Sequence, residues 1–281
     1  MRTFSHPGYK RFLLSVGCLL SIHFTALFFL TLFRLVFFFS ANYDFPDQEH
    51  VGFMSIWPAF IRGVWFDNVI ACYILLIPLV AVSISALFNY YGKILWNVTC
   101  IFFSLFYGIV LLVTAANIPY FQYFFKIINS SVFNWFGYMN TTAGMVFGET
   151  SYYPPLIGFL LTLVLFIWLM RRLIRHFQRL LNTKNPSVFW LDRIYIFLTA
   201  GICIGLCLFG IRGRTGYNPI KVSAAYYCTD PFLNQLGISP VFNLLSSTLD
   251  DSRKENRYLH LMPENEALEN TRHYLNRPGI E

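Results

Sequence analysis

The residues of this chain that could do chemistry are few, and most of them are cationic. Arg212, Arg214 and Lys221 follow the last long apolar run, in and just after the turn-rich stretch Arg212-Gly213-Arg214-Thr215-Gly216-Tyr217-Asn218-Pro219. Guanidinium groups at a membrane surface hold a lipid phosphate through charge-assisted, two-point hydrogen bonds, or else anchor the chain to headgroups without selecting one. Arg62 and Asp67 stand at i and i+5 just before another apolar run. They can form an ion pair, touch a headgroup, or serve as boundary anchors beside Trp57 and Trp65 in the aromatic belt. Asn117 and Lys126, at and beyond the end of a third apolar run, complete the headgroup-binding candidates: Arg62, Asp67, Asn117, Lys126, Arg212 and Arg214. No residue is assigned as catalytic or as a metal ligand. HExxH, GxSxG and the phosphate-cradling glycine loop are all missing, and no two carboxylates are spaced for acid–base work.

The elements that must position these groups are membrane helices. The 281 residues are 56% hydrophobic and only 12% charged, and the apolar residues come in blocks that approach the roughly 20 residues needed to cross about 30 Å of hydrocarbon. The expected fold class is an all-α membrane protein with five transmembrane helices, near 12–40, 69–88, 94–116, 156–170 and 194–211, followed by a juxtamembrane linker over 212–281. The net charge of +7 does not point to nucleic acid, because most Lys and Arg flank the apolar runs, where they set topology and anchor to headgroups. The stretch Arg171 to Lys184 carries five Lys and Arg residues and reads as a cytoplasmic loop. With Arg2, Lys10, Arg11 and Lys93 it places the N-terminus inside and the C-terminus outside.

Several finer expectations follow. Asn42 to Phe66, with Asp44, Asp47 and Glu49, reads as an outer loop, and Asn117 to Tyr153 as one or two amphipathic helices in the outer interface between the third and fourth spans. Pro78 predicts a kink in the second span, and Pro119 the end of the third. His23 reads as a packed or helix-bonded histidine rather than a proton relay, and Arg34 as a side chain that snorkels outward. Gly201 and Gly205 give a GxxxG spacing, which suits close helix packing. The six cysteines, Cys18, Cys72, Cys100, Cys203, Cys207 and Cys228, read as small core hydrophobes rather than a disulfide framework. Asn97, Asn129 and Asn140 head glycosylation-type tripeptides of a kind that arises often by chance. Beyond residue 211, the stretches 224–227, 231–236 and 240–249 are apolar enough to pack on a membrane or a partner but not to form a core. A charged linker over Asp250 to Arg257 and a short helix from Pro263 through Leu275 close the chain.

The order of parts resembles the membrane portion of lipoteichoic acid synthase-like phosphoglycerol transferases. The phrases that carry the resemblance are Arg62-Gly63-Val64-Trp65-Phe66-Asp67, Asn117-Ile118-Pro119-Tyr120-Phe121-Gln122-Tyr123-Phe124 with Ile128-Asn129, and Arg212-Gly213-Arg214 through Asn234-Gln235-Leu236-Gly237-Ile238-Ser239-Pro240-Val241-Phe242-Asn243. The resemblance implies a bacterial plasma membrane location and membrane lipids as partners. It also implies an extracytoplasmic catalytic domain of the alkaline phosphatase/sulfatase fold, in cis or in trans, where a threonine nucleophile and a divalent metal move a phosphoglycerol or related headgroup. Nothing in this chain matches that domain, so no nucleophile, metal ligand or cofactor is carried over. Cys228-Thr229-Asp230-Pro231 lacks the Pro and Arg placement of the sulfatase Cys-x-Pro-x-Arg motif. The expected function is a membrane-anchoring and lipid-presenting domain of such a transferase. The alternative is a non-enzymatic membrane scaffold that docks an outer-surface protein through its tail.

Overall fold

Every apolar run becomes a helix longer than its hydropathy window. The computed structural model describes residues 6–41, 53–138, 144, 148–181, 190–253 and 262–275. Asp44, Asp47, Glu49, Asn140, Lys184 and residues 254–257 of the expected linker lie outside them. Five helices are long and apolar enough to cross a membrane: α1 (Pro7–Ser40), α2 (Phe53–Leu87), α3 (Lys93–Phe124), α4 (Tyr153–Leu181) and α5 (Trp190–Arg212). There is no strand among the described residues. At 1.5 Å per residue α2 is roughly 50 Å long, well beyond the hydrocarbon thickness, so part of it stands outside or the helix tilts.

Three extensions differ from the hydropathy reading, each for a physical reason. Residues 53–66 are helix rather than loop, and α2 runs through both Pro58 and Pro78. Likewise α3 passes Pro119 and ends only at Phe124. Each proline deprives one carbonyl, four residues back, of its partner. In an apolar setting, breaking the helix would strand several backbone groups, so losing one bond costs less. The basic stretch is helix as far as Leu181, because Arg171, Arg175 and Arg179 at i, i+4 and i+8 are exposed on one face while Met170, Ile174 and Leu181 are buried on the other.

In the bundle, α2 packs between α1 and α5, and α4 packs between α1 and α3. Rings interlock across these seams: Phe166 of α4 meets Phe29 of α1 and Tyr107 of α3 edge-on, with centroids 6.1 and 5.3 Å apart. Lipid supplies no hydrophobic force between helices, so such van der Waals packing carries the association. Ser15, Thr31, Ser83 and Thr114 donate to carbonyls of the preceding turn of their own helices, which satisfies these four hydroxyls locally.

At the end where α1 starts, here the amino end, Asp192 is fully buried in the first turn of α5. It accepts from the Gly8 amide at 3.3 Å and lies 2.8 Å from His6 Nδ1. One carboxylate thus serves the starts of two helices, where the dipoles favour negative charge. Beside it, Arg11 donates to Leu181 O at 2.9 Å and lies over the Tyr91 ring, 4.9 Å from its centroid. Burial pushes the Tyr91 phenol up to about 12, opposed by Arg11. A phenol that stays protonated in the fold stabilises fully below its unfolded value of about 10, and that contribution is lost as pH rises from about 10 through about 12. The expected outcome is a melting temperature that falls across this window more steeply in the wild type than in Tyr91→Phe, followed by circular dichroism in detergent.

At the opposite end, here the tail end, residues 213–252 fold back over the bundle as a cap. The cap comprises a 3-10 turn (Val222–Ala225), α6 (Pro231–Leu236) and α7 (Pro240–Ser252), and is followed by α8 (Glu264–Leu275). Asp230 caps α6 by accepting from Leu233 N at 2.9 Å, with Pro231 at the first helical position. Phe232, Leu233, Leu236, Ile238 and Val241 are all buried. These stretches therefore pack on the chain's own helices rather than along a membrane surface. α8 buries no residue.

Candidate functional site at the tail end of the bundle

The headgroup candidates converge on one end of the molecule but not on one another. Asp67 sits in α2 with its side chain 3% exposed and binds Arg34 of α1, Nη2 to Oδ2 at 2.6 Å. Arg34 does not snorkel: its side chain is 4% exposed, and Nη1 donates to Leu236 O and, at 3.1 Å, to Ile238 O. A charge inside an apolar run needs a partner, and Asp67 is that partner. Gly63, one turn before Asp67, makes the fit possible, since a Cβ there would overlap the guanidinium. The pair is thus a clamp that ties α1, α2 and the end of α6 together, and Asp67 is not presented to a headgroup.

Arg62 does not pair with Asp67. Five residues turn a helix by about 140°, so the two side chains leave α2 on different faces. Arg62 donates from Nε to Ala224 O at 3.2 Å and lies over the Tyr227 ring, 4.5 Å from its centroid. Burial, aided by Cys228 and Asp230, raises the Tyr227 phenol, and Arg62 opposes the shift. The Tyr227 hydroxyl donates to Ser55 O at 2.6 Å. Asn117 is buried, and its Oδ1 accepts from Ile128 N at 3.0 Å. Arg212 donates to the carbonyls of Gly216 and Tyr217, and Arg214 to that of Asn218 at 2.7 Å. Both arginines remain exposed, as does Lys126. Of the six candidates, Arg62 and Asp67 (through Arg34) hold the cap in place and Asn117 holds the turn after α3, whereas Lys126, Arg212 and Arg214 offer positive charge to the surroundings.

The residues that organise this end include several that the sequence did not single out. Asn234 Oδ1 accepts from Tyr227 N at 2.9 Å and Cys228 N at 3.3 Å, and its Nδ2 donates to Cys228 O at 2.7 Å. Gln235 Oε1 accepts from Ile127 N at 3.2 Å, while its Nε2 donates to Phe125 O at 3.4 Å. Asn243 Nδ2 donates to Ile128 O at 2.9 Å. Asn234 thus holds the cap's own fold together, while Gln235 and Asn243 fasten the cap to the turn where α3 ends. The available signal was an amide every few residues in an otherwise apolar stretch, a common surface pattern that pointed to no particular partner.

Beside the cap, between α3, a 3-10 helix (Ser130–Tyr138) and the start of α4, lies a cavity of about 1160 Å³. Its walls are apolar and aromatic, including Leu112, Ala116, Tyr120, Phe124, Trp135 and Leu156. Tyr120, Phe124 and Trp135 form one continuous ring cluster, with centroids 4.8 to 5.7 Å apart. Glu149 also lines the cavity. A space of this size exceeds most small-molecule pockets and suits one or more hydrocarbon chains. No three His, Cys, Asp or Glu side chains gather as a metal site among the described residues.

These features define the class: an all-helical, multi-pass membrane protein whose tail folds into a cap on one end of the bundle. No family model, curated protein or solved structure matches the chain.

Proposed function

We propose that the chain is the membrane-anchoring and lipid-presenting part of an extracytoplasmic phosphoglycerol, or related headgroup, transferase of the alkaline phosphatase/sulfatase superfamily in the bacterial plasma membrane. The observation that carries this reading is the cavity beside the cap. Acyl chains held between α3 and α4 would leave a headgroup at the tail-end surface, where Lys126, Arg212 and Arg214 are exposed. The aromatic segment after α3, lying across the outer interface, would be the floor on which that lipid rests. The amino end would face the cytoplasm, in keeping with Lys10, Arg11, Lys93 and the arginines of α4 at that end. The capped end would then face outward, offering a firm base to a catalytic domain acting in cis or in trans.

The test uses the full chain in lipid nanodiscs containing a phospholipid with a photoactivatable acyl chain. Labelling is expected in the peptides that carry Leu112 to Tyr123 and Leu156 to Phe159. Ala116 is exposed and lines the cavity, so Ala116→Trp obstructs it at the α3 wall without disturbing packed seams. Labelling should then fall about tenfold, equivalent to about 1.4 kcal/mol. Equal labelling of wild type and Ala116→Trp would remove the basis of the proposal.

A further inference from the structure

The charged groups at the cavity beside the cap differ in sign and in place. Among the described residues that line it, Glu149 alone carries a charge. Glu149 is exposed, four residues ahead of the start of α4, and its carboxylate makes no hydrogen bond or ion pair among the described residues. Gly148, immediately before it, also lines the cavity and has open space where a Cβ would stand, so a ligand group has room beside the carboxylate. Lys126 does not line the cavity. It stands at the rim, in the turn after α3, two residues from Phe124 and two from Ile128, which both do. Its ammonium is exposed and has no ion-pair partner among the described residues. The two charges are therefore not spent on each other, and both are open to a ligand.

An apolar cavity with one uncompensated carboxylate selects for a cation and against an anion. At the edge of hydrocarbon, where water screens less than in bulk, a phosphate beside Glu149 would meet like charge, whereas an ammonium would gain a charge-assisted hydrogen bond. The rings of Tyr120, Phe124 and Trp135 add to that preference, since aromatic faces are negative and attract cations. A phosphate finds its place at the rim instead, with Lys126. The ligand that meets chains, carboxylate and rim together is a zwitterion whose ammonium lies beyond its phosphate. A primary ammonium suits the site better than a trimethylated one, because it carries three donors for Glu149 and for the phenols of Tyr123 and Tyr152, which also line the cavity.

We propose that this cavity selects a zwitterionic phospholipid with a primary amine, of the phosphatidylethanolamine type. Its chains lie along Leu112, Ala116 and Leu156, its ammonium meets Glu149 and its phosphate faces Lys126. The proposal rests on the lipid-presenting reading above and narrows its headgroup from phosphoglycerol to phosphoethanolamine. It also runs against the overall charge of this end, because the exposed Lys126, Arg212 and Arg214 would by themselves favour an anionic lipid such as phosphatidylglycerol.

The experiment places the full chain in phosphatidylcholine nanodiscs with phosphatidylethanolamine or phosphatidylglycerol, each carrying the same photoactivatable acyl chain, and maps the labelled peptides by mass spectrometry. Phosphatidylethanolamine is expected to label the peptides that carry Leu112 to Tyr123 and Leu156 to Phe159 about tenfold more than phosphatidylglycerol, the effect of one charge-assisted hydrogen bond. Glu149→Gln keeps the size of an exposed side chain and removes its charge, and it should bring the two lipids within about twofold of one another. Lys126→Gln should lower labelling by both lipids and keep their ratio, because both carry the phosphate. Equal labelling of the wild type by the two lipids, or a preference for phosphatidylglycerol, overturns the inference and leaves the acyl-chain cavity of the proposed function standing. A preference that survives Glu149→Gln, or one that Lys126→Gln abolishes, overturns it in the same way. Labelling of these peptides by neither lipid would remove the cavity as a lipid site, and both readings would fall together.

Discussion

Replacing Asp67 with alanine is expected to destabilise the protein by about 3 to 5 kcal/mol, the usual cost of orphaning one member of a buried ion pair. Arg34 would keep its charge in an environment where its side chain is 4% exposed, held only by the carbonyls of Leu236 and Ile238. The guanidinium would then turn toward water and drag on the end of α6. The signature is twofold: a lower melting temperature in detergent, and protease cleavage within 213–252 under conditions where the wild type is resistant. Removing both charges, as in Arg34→Met with Asp67→Leu, should recover most of the loss, because a packed apolar pair often equals a buried ion pair in stability. A single Asp67→Ala variant that melts and resists protease like the wild type would show that the pair does not clamp the cap.

The second large effect is expected from Phe232→Ala. Phe232 is 1% exposed, and its ring lies 5.8 Å from that of Phe37, 6.2 Å from Phe38 and 5.7 Å from Phe121. It is therefore the side chain by which α6 plugs into the gap between α1 and α3. Truncation should cost about 3 to 5 kcal/mol through lost contacts and the cavity left behind. The loss should fall on the cap rather than the bundle. Amide hydrogen exchange is expected to quicken across 222–252, while the centres of α1 and α2 stay protected. Phe232→Leu should retain most of the protection. Uniformly faster exchange through all five long helices would mean that the cap and the bundle unfold as one unit, against the description of the tail as a separately fastened plate.

Both expectations bear on what the tail end does. A cap held by the Arg34–Asp67 pair, the buried Phe232 ring, the amides of Gln235 and Asn243, and the bonds of Arg62 and Tyr227 is a fixed base, not a loose tether. The exposed arginines beside it, Arg212 and Arg214, brace their own turn through carbonyls and keep their charge available. That division of labour follows from position: Arg62, Asp67 and Asn117 lie within α2 and α3, whereas Arg212 is the last residue of α5 and Arg214 lies just beyond it.

Much of the architecture was legible along the chain. The number of long apolar helices and the all-helical class follow from runs such as Leu156 to Met170, because the cost of exposing backbone to lipid acts residue by residue and needs no partner. The ring-rich stretch from Asn117 to Tyr153, read as interfacial helices, is divided in the fold: Tyr120 and Phe124 belong to α3, and Trp135 to the 3-10 helix Ser130–Tyr138. Helix ends were less legible. Pro119 and the arginines after Met170 are local stop signals, yet α3 and α4 continue past them because Phe121 and Ile174 are buried.

What depended on rotation and depth was not legible at all. Arg34, read as a snorkelling side chain, and Asp67, read as an anchor or the partner of Arg62, meet because α1 and α2 run antiparallel with these positions at one level, and because Gly63 leaves space there. The same holds for His23 and Asn68, 45 residues apart in sequence and 3.0 Å apart in the fold. Hydropathy and charge bias are sums over neighbours along the chain, so they specify a membrane helix and its flanks. Which polar groups pair, which stay exposed and where cavities open are decided by how helices pack face to face, and only the tertiary structure sets that register.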